Sequence, residues 1–307
     1  MKGLTKDESR KLFCHQFPNN NENLHSNIEK DEVKLFLSKG FPLAIKVVGR
    51  AMARSPQPEQ WKWALDRLEK AERLDDFLRL GFDVVSNEDA NMQLCFLHLA
   101  VAFFENEVID VQEVIPLWMG EGLLAMKMLQ NGPAHVVTDR SFIEPMIINT
   151  EGFPVCLRMQ DPFEIGRIYV DQLAERCLIE PMVRDADGRV VCFGMLNVLR
   201  DLAIGNAKKE EKFHCSMGDS LKDSPKFESA ESTRIFLSRN ELSSLPLFSS
   251  SSEMCSLSIS QNTQITKIPN KLMPSMTFLK VLDLSGTLAR SLPEGVGCLK
   301  QLTCLKL

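Results

Sequence analysis

The stretch Leu279-Lys280-Val281-Leu282-Asp283-Leu284 returns 23 residues later as Leu302-Thr303-Cys304-Leu305-Lys306-Leu307, with leucine at the same three positions. Fainter copies precede it in phase. Leu257 and Ile259 lie 25 residues before Leu282 and Leu284, and Ile235 and Leu237 lie 22 residues before those. The first three strand copies each lead to an apolar-x-x-apolar-Pro element or its tail: Leu242 to Pro246, Ile265 to Pro269, and Leu292-Pro293. Alternate residues of a strand share a face. Each copy therefore carries an apolar face that only a stacked neighbour can bury. The prolines fix the chain as it leaves the strand layer. The C-terminal quarter reads as the start of a leucine-rich-repeat solenoid, built for binding rather than chemistry. The sequence stops at Leu307 in mid-repeat with no polar capping unit, so the chain is expected to be a fragment or a truncated product.

Working outward, 307 residues suffice for two or three domains. An apolar content of 44% and a charged content of 25% are those of an ordinary globular protein. A net charge of −5 argues against nucleic acid as a partner. The opening Met1 to Glu8 is polar and does not read as a signal peptide. The longest apolar run, Phe96 to Phe104, contains His98 and is too short to span a bilayer. The nine cysteines are scattered with no C-x-x-C pair. They read as free thiols in a reducing compartment, with the cytoplasm as the expected location.

The rest of the chain alternates helices with breaks. Residues 1–39 read as polar helices around an Asn-rich loop at 19–23. Gly40-Phe41-Pro42-Leu43 opens an apolar helix, and helical spacing continues through Trp61, Leu65, Leu68, Leu74, Phe77 and Leu78. A buried helix is expected from Met92 to Phe104 and a second from Val111 to Leu124. Residues 125–160 read as a long irregular insertion. Asp161, Pro162 and Glu164 form a helix start with a capping box. The sequence then predicts a hairpin turning at Asp187-Gly188 and a helix from Leu196 to Ala207. Helices followed by a hairpin and a closing helix fit a winged helix. Residues 208–231 are a linker or a ragged first repeat.

Four blocks in order resemble the nucleotide-binding, leucine-rich-repeat (NB-ARC/LRR) disease-resistance proteins of plants. Gly40-Phe41-Pro42-Leu43-Ala44 is similar to the family's Gly-Leu-Pro-Leu motif. Cys95-Phe96-Leu97-His98-Leu99-Ala100, running on to Leu117-Trp118-Met119-Gly120-Glu121-Gly122-Leu123-Leu124, resembles the block that opens its winged-helix subdomain. Met195-Leu196-Asn197 sits where a Met-His-Asp motif belongs, and Leu292-Pro293-Glu294-Gly295-Val296 is typical of plant intracellular repeats. The resemblance implies a mainly α fold with β: a helical subdomain plus a winged helix, then an α/β solenoid start. It divides the chain into a remnant of the nucleotide-binding fold at 1–17, a helical subdomain at 18–85, a winged-helix subdomain at 86–207 with the insertion at 125–160, a linker at 208–231 and truncated repeats at 232–307.

In function, the resemblance implies an intracellular immune receptor acting as an ADP/ATP-gated switch with weak ATPase activity and ligand sensing by its repeats; the expected partners are proteins, a pathogen effector, a host target or a full-length receptor. It implies nucleotide-binding roles for Pro42 and Leu43, near the adenine, and for Leu196 at the Met-His-Asp histidine position. Plainer readings stand beside these: Pro42 opens a helix, and Leu196 is a relaxed position. The departures are specific. No Gly-x-x-x-x-Gly-Lys-Ser/Thr phosphate loop occurs, leucine replaces the histidine, and Phe104-Glu105-Asn106 replaces a Pro-Glu-Asp tail. ADP or ATP is therefore not expected to bind this chain alone, and no enzyme activity is expected. The alternative is a nucleotide-independent repeat module or decoy. A winged-helix DNA binder ranks last, because the helix 196–207 offers Arg200 against Asp201. His98 reads as a core histidine, Trp61 and Trp63 as a packing face, and neither Cys14-His15 nor His214-Cys215 as a nucleophile pair.

Overall fold

The structure is a computed structural model that describes residues 3–17, 28–54, 58–124, 146–148, 154–156, 161–209, 213–218, 220–223, 225, 233–245, 253–270, 273–292 and 294–307. The Asn-rich loop at 19–23 and most of the insertion at 125–160 lie outside them. Helix α1 (Lys6–Cys14) starts at a capping box in which the Glu8 carboxylate accepts from the Thr5 N–H at 2.8 Å. Helices α2 (Asp31–Ser38), α3 (Pro42–Ala53), α4 (Pro58–Lys70) and α5 (Leu74–Glu88) follow. Pro42 stands in the first turn of α3, where its missing N–H costs nothing. Just before it, Gly40 holds φ at 65°, and a side chain there would press on the Leu4 carbonyl at 2.4 Å. Phe13, Phe36 and Phe77 meet in the core between these helices. Trp61 is buried and stacked on Phe17.

Helix α6 (Ala90–Ala102) is apolar on nearly all sides and buried from Cys95 to Val101. Asp89 caps it: one carboxylate oxygen accepts from the Asn91 and Met92 N–H groups, and the other accepts from the Tyr169 hydroxyl. Strand β1 (Ile109–Asp110) and helix α7 (Val111–Glu121) come next. Helix α7 ends at Gly122, in the left-handed conformation expected of a helix terminus. Within 125–160, read from sequence as irregular, β2 (Met146–Ile148) and β3 (Pro154–Cys156) pair antiparallel. Pro154 sits at the first position of its strand, where proline is tolerated.

Helix α8 (Pro162–Glu175) is capped by Asp161, which accepts from the Phe163 N–H at 3.0 Å. The capping box the sequence predicts is replaced, because Glu164 reaches across to Arg189 on the hairpin instead. That hairpin is β4 (Glu180–Arg184) and β5 (Val190–Gly194), with Gly188 at φ 80° in the turn. The three strands order as β1-β5-β4, all antiparallel. Helix α9 (Asn197–Lys209) closes this part against α6.

The C-terminal part is a parallel ladder of five short strands, ordered β10-β9-β8-β7-β6. They are β6 (Phe213–Cys215), β7 (Arg234–Phe236), β8 (Ser256–Ser258), β9 (Val281–Asp283) and β10 (Cys304–Lys306). Ile235 pairs with Leu257, Leu257 with Leu282, and Leu282 with Leu305, the register that the leucine spacing predicts. Their inward faces, with Leu237, Ile259, Leu284 and the corner residues Leu242, Leu245, Ile265 and Ile268, close one apolar core. Strand β6 lies within the segment left open between linker and ragged repeat, and it carries His214 where the later strands carry Ile235 or leucine. Leu305 and Leu307 are 36% and 71% exposed, because β10 has a strand neighbour on one side only.

Candidate functional site: the junction of helices and repeats

Alternation along the strands sends Ile235, Leu257 and Leu282 inward and turns Arg234, Phe236, Ser256, Val281 and Cys304 to the opposite face. Part of that face is covered. Phe236 and Val281 are buried in the core of the helical part, not of the ladder. The cover is the end of α7. The Thr303 hydroxyl donates to the Gly120 carbonyl at 2.8 Å. A Cβ at Gly120 would stand 2.9 Å from Cys304 Cβ and 3.1 Å from Val281 Cγ2. Glycine is needed there for close approach of helix and ladder. Replacing Gly120 with leucine is expected to destabilise the chain by about 1–3 kcal/mol through overpacking and to speed proteolysis between the helical part and the repeats. Unchanged cleavage and unchanged thermal midpoint would contradict the close fit.

One residue further along, Glu121 is fully buried between three elements. One carboxylate oxygen lies 2.5 Å from Arg234 Nε on β7, and the other lies 3.1 Å from His98 Nε2 on α6. The Phe236 ring meets the His98 ring edge-on at 5.4 Å. The Arg234 guanidinium lies 5.2 Å from the centre of the Phe213 ring. Burial pushes the Glu121 carboxyl up, but His98 and Arg234 more than reverse this and hold it at about 2. Burial opposes the Arg234 charge in the same way, and Glu121 overrides it, raising the guanidinium further. A buried carboxylate paired on both sides is a fixed charge, suited to holding two parts in register rather than to moving a proton. His98, a core histidine in the sequence reading, thus also faces the buried Glu121 carboxylate.

The residues that the family resemblance singles out lie elsewhere. Pro42 is exposed and Leu43 half-buried on α3, which packs against α1 and α5. Leu196 is 39% exposed, and its carbonyl accepts from the Leu199 and Arg200 N–H groups at the start of α9. Helix α9 packs on α5 and α6, so α5 is the common neighbour of the two positions.

A second set went unread in the sequence. Asn240 and Asn262 are buried behind the strands. Asn262 donates to the Leu237 and Ile259 carbonyls, both at 2.8 Å, and accepts from the Asn240 and Leu242 N–H groups. Asn240 donates to the Ser216 and Leu237 carbonyls and accepts from the Leu221 N–H. The signal was present as Ile235-x-Leu237-x-x-Asn240 and Leu257-x-Ile259-x-x-Asn262, the leucine-repeat pattern carried three positions beyond its last apolar residue.

Cys14, Cys95, Cys177, Cys192, Cys255, Cys298 and Cys304 are free thiols. Burial and the nearby Glu121 charge push the Cys95 thiol well up, the wrong direction for a nucleophile. No group of His, Cys, Asp or Glu among the described residues could hold a metal ion. No described helix is long and apolar enough to cross a membrane. The sequence places the DNA-reading helix at 196–207, but the helix that precedes the hairpin is α8. It carries Glu164, Asp171 and Glu175 against Arg167, the wrong sign for a phosphate backbone.

No family model matches the chain. Individual proteins do. The chain is 30% identical to the probable disease resistance protein At4g27220 of Arabidopsis thaliana, over 99% of this chain and 30% of that protein. It is 23% identical to the disease resistance protein RPS5 of the same plant, over 99% of this chain and 34% of the relative. Against the Arabidopsis disease resistance protein At4g27190 the identity is 26%, over 95% and 27%. The chain thus spans about a third of the length of the curated relatives it matches.

Proposed function

The chain belongs to the disease-resistance proteins of plants, and from that premise we propose that it is the part of a defence receptor in which a helical and winged-helix adaptor carries the first leucine-rich repeats. In this reading the repeats recognise a protein, an effector or a host target. The junction at Glu121 passes the resulting displacement to the adaptor. The observation that carries the reading is the burial of Glu121 against His98 of α6 and its ion pair with Arg234 of the ladder, which ties the ladder to the adaptor through a charge pair that water does not reach. Its compartment is intracellular, in keeping with the free thiols.

The family's adenine nucleotide finds no adequate site in this chain alone. Pro42 has no N–H to donate, and the Leu196 side chain can donate nothing to a phosphate. The sequence has no Gly-rich loop with Lys and Ser or Thr to cradle the phosphates. Pro42 and Leu43 would at most contribute apolar contact to an adenine, and Leu196 would mark where a phosphate-sensing residue stands in relatives that keep it. No reaction step is assigned to the chain. Calorimetric titration with ADP is expected to give no heat of binding. Saturable binding at micromolar ADP would overturn this and restore a nucleotide-gated switch within the chain.

A further inference from the structure

Between α6 and β1 the chain makes a tight turn, Phe103 to Glu107. It is closed on itself: the Glu107 carboxylate accepts from the Phe104 N–H at 2.8 Å, and Asn106 holds φ at 57°. Two other parts of the protein grip it. From the turn after β7, the Arg239 guanidinium lies over the Phe104 ring, 3.7 Å from its centre. Arg239 is fixed in the ladder, because its N–H donates to the Ser260 carbonyl at 2.9 Å. From α9, Arg200 donates from Nε to the Phe103 carbonyl at 3.2 Å in a buried contact, and the Asn197 amide donates to the Glu105 carboxylate at 3.4 Å.

We propose that the turn 103–107 is a relay, through which the repeats at Arg239 set the position of the first turn of α9. The contact geometry is suited to it. Arg239 touches the ring of Phe104 while Arg200 holds the carbonyl of the residue before it, so the turn cannot follow one arginine without pulling on the other. The Glu107 hydrogen bond and the left-handed Asn106 keep the turn from absorbing the displacement by flexing. This deepens the reading of the preceding subsection, in which the residue opening α9, Leu196, holds the place of a phosphate sensor. Arg239 and Arg200 are positioning residues in this device.

Hydrogen exchange on the chain as it stands tests the relay. The readout is exchange at the Leu199 and Arg200 N–H groups, both bonded to the Leu196 carbonyl at 2.9 Å, taken as a ratio to the amides of α3. The ratio cancels any general loss of stability. Arg239→Ala and Phe104→Leu are each expected to raise it about two- to fivefold, the range of a partly exposed cation–π contact. Phe104→Tyr, which keeps the ring, is expected to leave it unchanged. Coupling is reciprocal, so Arg200→Met is expected to raise exchange at the Arg239 N–H. An unchanged ratio in Arg239→Ala, or a one-sided response, overturns the relay. No nucleotide enters the experiment, so its failure leaves the proposed function standing. Binding of ADP would overturn the nucleotide part of that reading without touching the relay.

Discussion

Arg234→Met is expected to destabilise the chain by about 3–5 kcal/mol, because it strands a buried carboxylate with only His98 beside it. Methionine fills much of the arginine volume, so the loss comes from charge and not from a cavity. Denaturant titration against pH separates the two. Glu121 is depressed to about 2 from an ordinary 4.5. A carboxyl depressed in the folded state contributes stability that is whole above about pH 4.5 and lost as pH falls toward about 2. Without Arg234 the folded carboxyl titrates at higher pH, so the acid limb of the stability profile moves upward. A variant as stable as the native chain, with an unmoved acid limb, would mean that the contact is solvated and idle.

The second large effect is expected at Asn262. Its side chain satisfies the Asn240 and Leu242 N–H groups and the Leu237 and Ile259 carbonyls behind the ladder. Asn262→Ala takes this partner from the Asn240 and Leu242 N–H groups and from the Ile259 carbonyl, each loss costing about 1–3 kcal/mol where water cannot enter, while the Leu237 carbonyl keeps the Asn240 amide. A loss of about 4 kcal/mol or more is expected, with protection falling first in β7 and β8. Asn262→Asp keeps the acceptor and removes the donor, so it should also fail. In the next repeat Thr287 occupies the matching position, 25 residues on, as Leu282 matches Leu257. The bonds that Asn262 makes therefore set how firmly β7 is tied to β8. Thermal unfolding of Asn262→Ala within 1 kcal/mol of the native chain would contradict this.

The repeats were legible because one-face burial forces a period, and Ile235, Leu257, Leu282 and Leu305 keep it through the actual strand pairing. Strand β6 broke the pattern with His214 at the apolar position, so nothing marked it as the first rung. The helices around Pro42, Trp61 and Trp118 declared themselves through spacing and caps. The junction did not. Glu121 follows Trp118-Met119-Gly120 as an unremarkable acidic residue at a helix end, and Arg234 precedes Ile235 like any strand flank. Only the meeting of positions 98, 121 and 234 makes them a site, and no local pattern encodes a contact across more than a hundred residues. The Phe104 turn is hidden for the same reason.

The most direct test of the junction is a double-mutant cycle on Glu121→Gln and Arg234→Met, read as unfolding free energies in denaturant. If the two parts are held in register by this pair, the coupling energy is expected to reach about 2 kcal/mol or more, because removing the second charge relieves the first. Effects that simply add, with coupling below about 0.5 kcal/mol, would show that the repeats and the adaptor stand side by side without being joined there.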